Sequence, residues 1–181
     1  MGNGWKSTAS GYGWLSISFH WLMLLLIAAA YATMELKGLF PKGSARRESM
    51  ASWHYLLGLS VFLLAWLRLP VNLAGADPVI APALPQWQEK LARIMHGMLY
   101  VLMIALALLG WFTVNAKGTP VTFLGAQLPS LIGESREAAK WLKDIHEALS
   151  KAGYFLIGLH AAAALYHHYV ARDNTLRLML R

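Results

Sequence analysis

The stretch LKDIHEALSKAGYFLIGLHAAAALYHHY, residues 142–169, carries two histidines, His146 and His160, in a run that turns almost wholly apolar after Ala152. They are fourteen positions apart, close to four turns of an α-helix, so both imidazoles leave one face, roughly 21 Å apart along the axis. Ionisable side chains on apolar helices are costly in lipid and tend to mark function. Two earlier apolar runs also carry a histidine near their starts, His20 and His54.

Outward from this stretch, four apolar runs can be read at about Trp14–Met34, Trp53–Leu69, Ile94–Val114 and Ala152–Val170, the last spanning 146–170 when the segment bearing His146 is included. Each approaches the roughly 20 residues that cross a hydrocarbon core as a helix. The 181 residues are 57% hydrophobic and only 14% charged, a balance more apolar than that of soluble domains. Lipid offers backbone groups no water to bond, so helices are the expected answer. The sequence predicts an all-α, membrane-embedded four-helix bundle forming one domain over residues 1–181. A soluble bundle would need a wide polar stripe on each helix, and LSISFHWLMLLLIAAAYATM, residues 15–34, has none. Its AAAYA end resembles a signal-peptide cleavage site, but the run is longer than a signal core and holds a histidine. It reads as a first span.

With no cysteine in the chain, disulfides, zinc–thiolate sites, iron–sulfur ligation and covalent c-type haem attachment are excluded. The formal charge is +7, yet the basic residues are dispersed through the loops. That dispersion argues against a nucleic-acid partner and for a positively charged membrane-protein surface. Four spans put both termini on one side, but lysine and arginine divide almost evenly between the two sides, so charge leaves the orientation open. The second connection, about Pro70–Lys90, contains Pro78, Pro82 and Pro85 and reads as a loop. Ser135 is a candidate N-cap for a helix running into the fourth span.

Depth along the spans pairs His20 with His160 and His54 with His146. A neutral imidazole is a good axial ligand for iron, and two saturate it, giving an electron-transfer centre with no open position for oxygen. Two haem b groups are therefore expected. Gly58, Gly153, Gly158 and Ala161–Ala164 are small residues near these ligands, although close helix packing explains them equally well. Zinc or copper transport would favour carboxylates beside the histidines, and none lies within the apolar runs. His96, His167 and His168 remain, near Arg93, Tyr166 and Arg172. They can offer hydrogen bonds and protons to a quinone, or anchor the helix ends at the interface. Arg46, Arg47, Lys143 and Lys151 flank the second pair as a cationic rim. It would attract small anions or acidic donors, or contact lipid phosphates.

The motifs ISFHWLM in the first span and LKDIHEAL, GYFLIGLHAAAALYHHY and DNTL in the last resemble the bacterial cytochrome b561 family, with similarity running from about Gly13 to Leu180. The resemblance implies a four-helix inner-membrane protein with both termini cytoplasmic. It further implies two b haems on His20, His54, His146 and His160, carrying electrons from a periplasmic donor to the quinone pool. Some members are similar to a superoxide oxidase, which delivers the electron of superoxide to ubiquinone. The expectation is a superoxide:ubiquinone oxidoreductase whose surroundings are lipid and which needs no obligate protein partner. The alternative is an electron-adaptor subunit linking a partner dehydrogenase to quinone.

Overall fold

The computed structural model describes residues 4–180. Four long helices dominate: α1 (Trp14–Lys37), α2 (Ala45–Leu73), α3 (Gln86–Ala116) and α4 (Arg136–Tyr166). A π-helical turn at His167–Ala171 follows α4 directly, and a short helix, α5 (Thr175–Met179), closes the chain. Between α3 and α4 lies a small antiparallel hairpin, β1 (Thr122–Phe123) and β2 (Ala126–Gln127). Its turn residues Leu124 and Gly125 both have positive φ, the backbone twist that two-residue hairpins require.

The helices outrun the apolar stretches because polar side chains cap them further out. The Arg47 N–H donates to Ser44 Oγ at 3.3 Å and starts α2, and the Ala138 N–H donates to Ser135 Oγ at 3.2 Å and starts α4. Each hydroxyl satisfies a backbone donor left over by the first turn. α2 continues through Pro70 to Leu73, so the proline-interrupted connection is shorter than the sequence predicts. Proline in the last turn forfeits one hydrogen bond without breaking the helix.

All four helices are long and apolar enough to cross a membrane, and only 6–22% of each apolar window is buried within the protein. Leu25, Val101 and Phe155 stand exposed. Apolar surface of this extent is stable only against lipid. The protein is an integral membrane four-helix bundle.

The chain forms two compact units: one from the chain up to Leu22, Ala65–Leu102 and the chain from Lys151, the other from Met23–Leu64 and Met103–Ser150. In the first, the N-terminal segment is fixed by Ser7, whose Oγ lies 3.2 Å from Ser16 Oγ and accepts from the Gly13 N–H at 3.2 Å. A Cβ on Gly75 would sit 2.8 Å from Ser7 Cβ, so only glycine allows that approach. Trp21 Nε1 donates to the Met179 carbonyl at 2.8 Å and ties α5 to α1. In the second unit Leu59, Val114 and Val121 form a buried cluster with Trp111, Phe123 and Leu128 packed on it.

Candidate functional site

In each unit histidines from different helices come together, two in the second and three in the first. In the second unit the rings of His54 (α2) and His146 (α4) have centroids 6.1 Å apart at 77°. His54 Nδ1 lies 2.9 Å from the Ala30 carbonyl of α1. A carbonyl only accepts, so Nδ1 carries the proton and Nε2 keeps the lone pair. The His146 ring packs at Gly110 of α3, where a Cβ would be 3.4 Å from Cε1, and its Nδ1 is buried. In the first unit the rings of His20 (α1) and His160 (α4) have centroids 6.2 Å apart at 54°. Arg68 of α2 donates through Nη2 to His20 Nδ1 at 3.0 Å.

Two imidazoles on opposite sides of one metal, each at about 2 Å with the ring centre about 1 Å further, have centroids about 6 Å apart. Both pairs meet that separation. Among the described residues no group of three or more His, Cys, Asp or Glu side chains could hold a metal ion, so each pair suits an iron whose remaining ligands come from a porphyrin. A Cβ on Gly58, Gly97 or Gly158 would meet nothing within 4 Å: these glycines present bare backbone to open space, as a ring lying on a helix needs. Gly153, by contrast, is buried and serves packing. The residues present fit haem b at both pairs.

The other candidates fall into distinct surroundings. His96 is exposed on α3, its ring centroid 5.4 Å from that of His160. His167 Nδ1 is hydrogen-bonded to Asp173 Oδ2, and Asp173 is 1% exposed. Asp173 Oδ1 accepts the Thr175 N–H at 2.9 Å, and the His167 carbonyl accepts the Asp173 N–H at 3.1 Å. Burial pushes the Asp173 carboxyl upward, but hydrogen bonds from Thr175 and His167 more than offset it and leave it below the ordinary range. His168 Nδ1 is buried without a partner. Before α1, burial and then the charge of Asp77 push the Tyr12 hydroxyl up against the opposing effect of Arg68, keeping it neutral.

On the cationic rim, Arg46 is exposed, whereas Arg47 donates through Nη1 to the Lys37 and Phe40 carbonyls at 3.0 and 2.8 Å. It caps the end of α1 as well as adding charge. Lys143 pairs with Glu147 at 2.7 Å. Lys151 is exposed and belongs to the first unit. Two cations that the sequence did not single out, Lys37 and Lys117, join Arg47 and Lys143 in one electrostatic neighbourhood, and Lys37 also acts on His54. Lys117, Arg136, Lys140 and Lys143 line a cavity of about 690 Å³ with Glu134 and Ser135. Arg68 is the other omission. In the sequence it is one charge at the end of an apolar run, and nothing local shows that it meets a histidine 48 residues earlier.

The profile described as prokaryotic cytochrome b561 matches residues 11–181. The chain belongs to the prokaryotic cytochrome b561 family. This cytochrome is 43% identical over 164 residues to "Cytochrome b561 homolog 1" of Escherichia coli (strain K12), covering 91% of the chain and 93% of that relative. It is 35% identical over 169 residues to "Probable superoxide oxidase CybB" of Yersinia pestis, covering 93% and 95%. A more distant relative, "Cytochrome b561 homolog 2" of the same Escherichia coli strain, is 23% identical over 175 residues, covering 96% and 93%. As a member, this cytochrome is a membrane oxidoreductase of a family that binds haem b.

Proposed function

We propose that this cytochrome is a di-haem superoxide:ubiquinone oxidoreductase of the bacterial inner membrane, with both termini cytoplasmic. The observation that carries the reading is the pair of facing imidazoles in each unit, 6.1 and 6.2 Å apart, with one member of each on α4. Two superoxide anions and one ubiquinone with two protons give two molecules of oxygen and one ubiquinol. Haem b held at the two pairs would supply one-electron exchange. His20 with His160, and His54 with His146, would hold the two haems. His54, fixed by its bond to the Ala30 carbonyl, presents Nε2 in the form that binds iron. Arg46, Arg47, Lys143 and Lys151, with Lys37 and Lys117, raise the local concentration of a small anion. His96, His167 and His168 serve the quinone, whose oxygens need proton donors as it is reduced. Asp173 accepts from His167 Nδ1 and so orients the ring with Nε2 free, a nitrogen that gives up a proton from the imidazolium form. The name of the Yersinia relative supports superoxide as the donor.

Mixing the purified cytochrome with superoxide, and then with ubiquinone, tests the reading. Rapid haem reduction followed by quinone-dependent reoxidation is the expected result. Reduction only by way of a copurifying dehydrogenase would replace it with the electron-adaptor role. The chain has no native cysteine, so labelling of single introduced cysteines near each terminus reads the orientation directly.

A further inference from the structure

Arg68 is a partly buried cation within a membrane span. Among the described residues no carboxylate is paired with it. Its guanidinium donates to His20 Nδ1 at 3.0 Å, lies 5.7 Å from the Tyr100 ring centroid, and leaves Nε buried without a partner. The Tyr100 hydroxyl is itself occupied as acceptor of the Asn72 amide at 2.8 Å. Of the carboxylates near it in the same unit, Asp173 is committed to His167, and Asp77, which shares the surroundings of Tyr12 with Arg68, forms no ion pair with it.

A neutral imidazole has one N–H and one lone pair, and a guanidinium has donors only. While Arg68 occupies the lone pair on Nδ1, the proton sits on Nε2 and neither ring nitrogen can bind iron. Ligation through Nε2 needs the proton on Nδ1, and Arg68 must then let go. A guanidinium released inside a membrane protein, with Nε already unpartnered, demands an anion. Haem b carries two carboxylates, and the planar fork of arginine matches a carboxylate in bidentate fashion.

We propose that Arg68 is a propionate-binding residue that first holds the ring of His20 and passes to a haem propionate when His20 and His160 take the iron. The inference rests on the ligand reading of those two histidines and adds a specificity residue to it.

The test uses the full-length chain carrying H54A, which by the ligand reading keeps only the haem of His20 and His160. The stripped protein is titrated with haem b and with its dimethyl ester, whose carboxylates are neutral. With Arg68 intact, esterification is expected to weaken binding about 10- to 100-fold. In R68Q, native haem should bind correspondingly more weakly, and esterification should change its affinity less than about twofold. R68K, which keeps the charge and loses the fork, should fall between. In the otherwise native holoprotein, R68Q should lower the midpoint potential of this haem, since the ferric form gains when a neighbouring cation is lost, and leave the other unmoved. An esterification penalty of equal size in the native and R68Q chains overturns the inference. So does the absence of any penalty with Arg68 in place, a result that needs no variant at position 68 to fold. If the H54A chain retains two haems or none, the ligand reading itself fails, whatever Arg68 does.

Discussion

At the scale of single residues, the hydrogen bond of His54 to the Ala30 carbonyl decides which nitrogen faces the site, because it leaves only Nε2 with a lone pair. Replacing His54 or His146 by alanine should leave one haem per chain, and so should replacing His20 or His160, with the remaining haem spectrally distinct in the two cases. Pyridine haemochrome analysis and low-temperature spectra measure both. Asp173 acts on the fold as well as on His167. Its carboxyl is held below the ordinary value of 3.8, so its contribution is present above that value and is lost as pH falls through the lower folded one. Acid, not alkali, should therefore loosen the segment after α4. D173N should loosen it at neutral pH by about 1–3 kcal/mol, the cost of impairing a buried hydrogen-bonded group. Hydrogen exchange at residues 172–180 across a pH series checks the sign and the size. Neither Arg68 nor Asp173 could be picked out by sequence pattern. One depends on two helices meeting, the other on a π turn that brings positions six apart together.

At the scale of elements, hydropathy revealed the four spans because lipid leaves apolar residues all round each helix. It did not reveal where the helices end. Ala45–Met50 and Gln86–Arg93 are polar enough to look like connections, yet a hydroxyl cap and continued backbone bonding keep them helical, whereas the start of α4 at Ser135 was legible as an N-cap. The glycines were ambiguous for a similar reason: a small residue serves a haem face or a helix contact equally well. The structure separates them, since Gly58 and Gly158 face open space and Gly153 is buried. G158L should lower occupancy of the His20–His160 site with helix content unchanged. G153L should instead destabilise the fold, because overpacking a filled contact typically costs about 1–3 kcal/mol. Haem per chain and circular dichroism distinguish the two outcomes.

At the scale of the whole molecule, the excess of positive charge bears on rate more than on stability. Haem reduction by superoxide should slow as salt rises, since the Debye length falls from about 10 Å at 0.1 M to about 3 Å at 1 M. Charge reversal at Arg46 or Lys117 should slow it further, and K143E less so, because Glu147 already offsets Lys143. Stopped-flow rates across an ionic-strength series provide the measurement, and a rate indifferent to both would assign the rim to lipid contact. At the quinone step, H167A and H168A should leave haem spectra and superoxide reduction intact and slow reoxidation by ubiquinone. The expected fall is about 100-fold where a positioned proton donor is lost. The order and number of spans followed from the sequence alone. Its orientation did not, because lysine and arginine divide almost evenly between the two sides.

The unbroken course of α4 from His146 to His160 has a consequence for how such a chain can change length. One residue inserted between them would turn everything beyond it by about 100° and swing the second imidazole off its partner. Seven inserted residues would nearly restore the face, missing by about 20°, but would carry the imidazole about 10 Å further along the axis. No small step in length preserves both direction and reach. Insertions and deletions should therefore accumulate in the connections at 38–44, 74–85 and 117–135, while the count between these two histidines stays fixed.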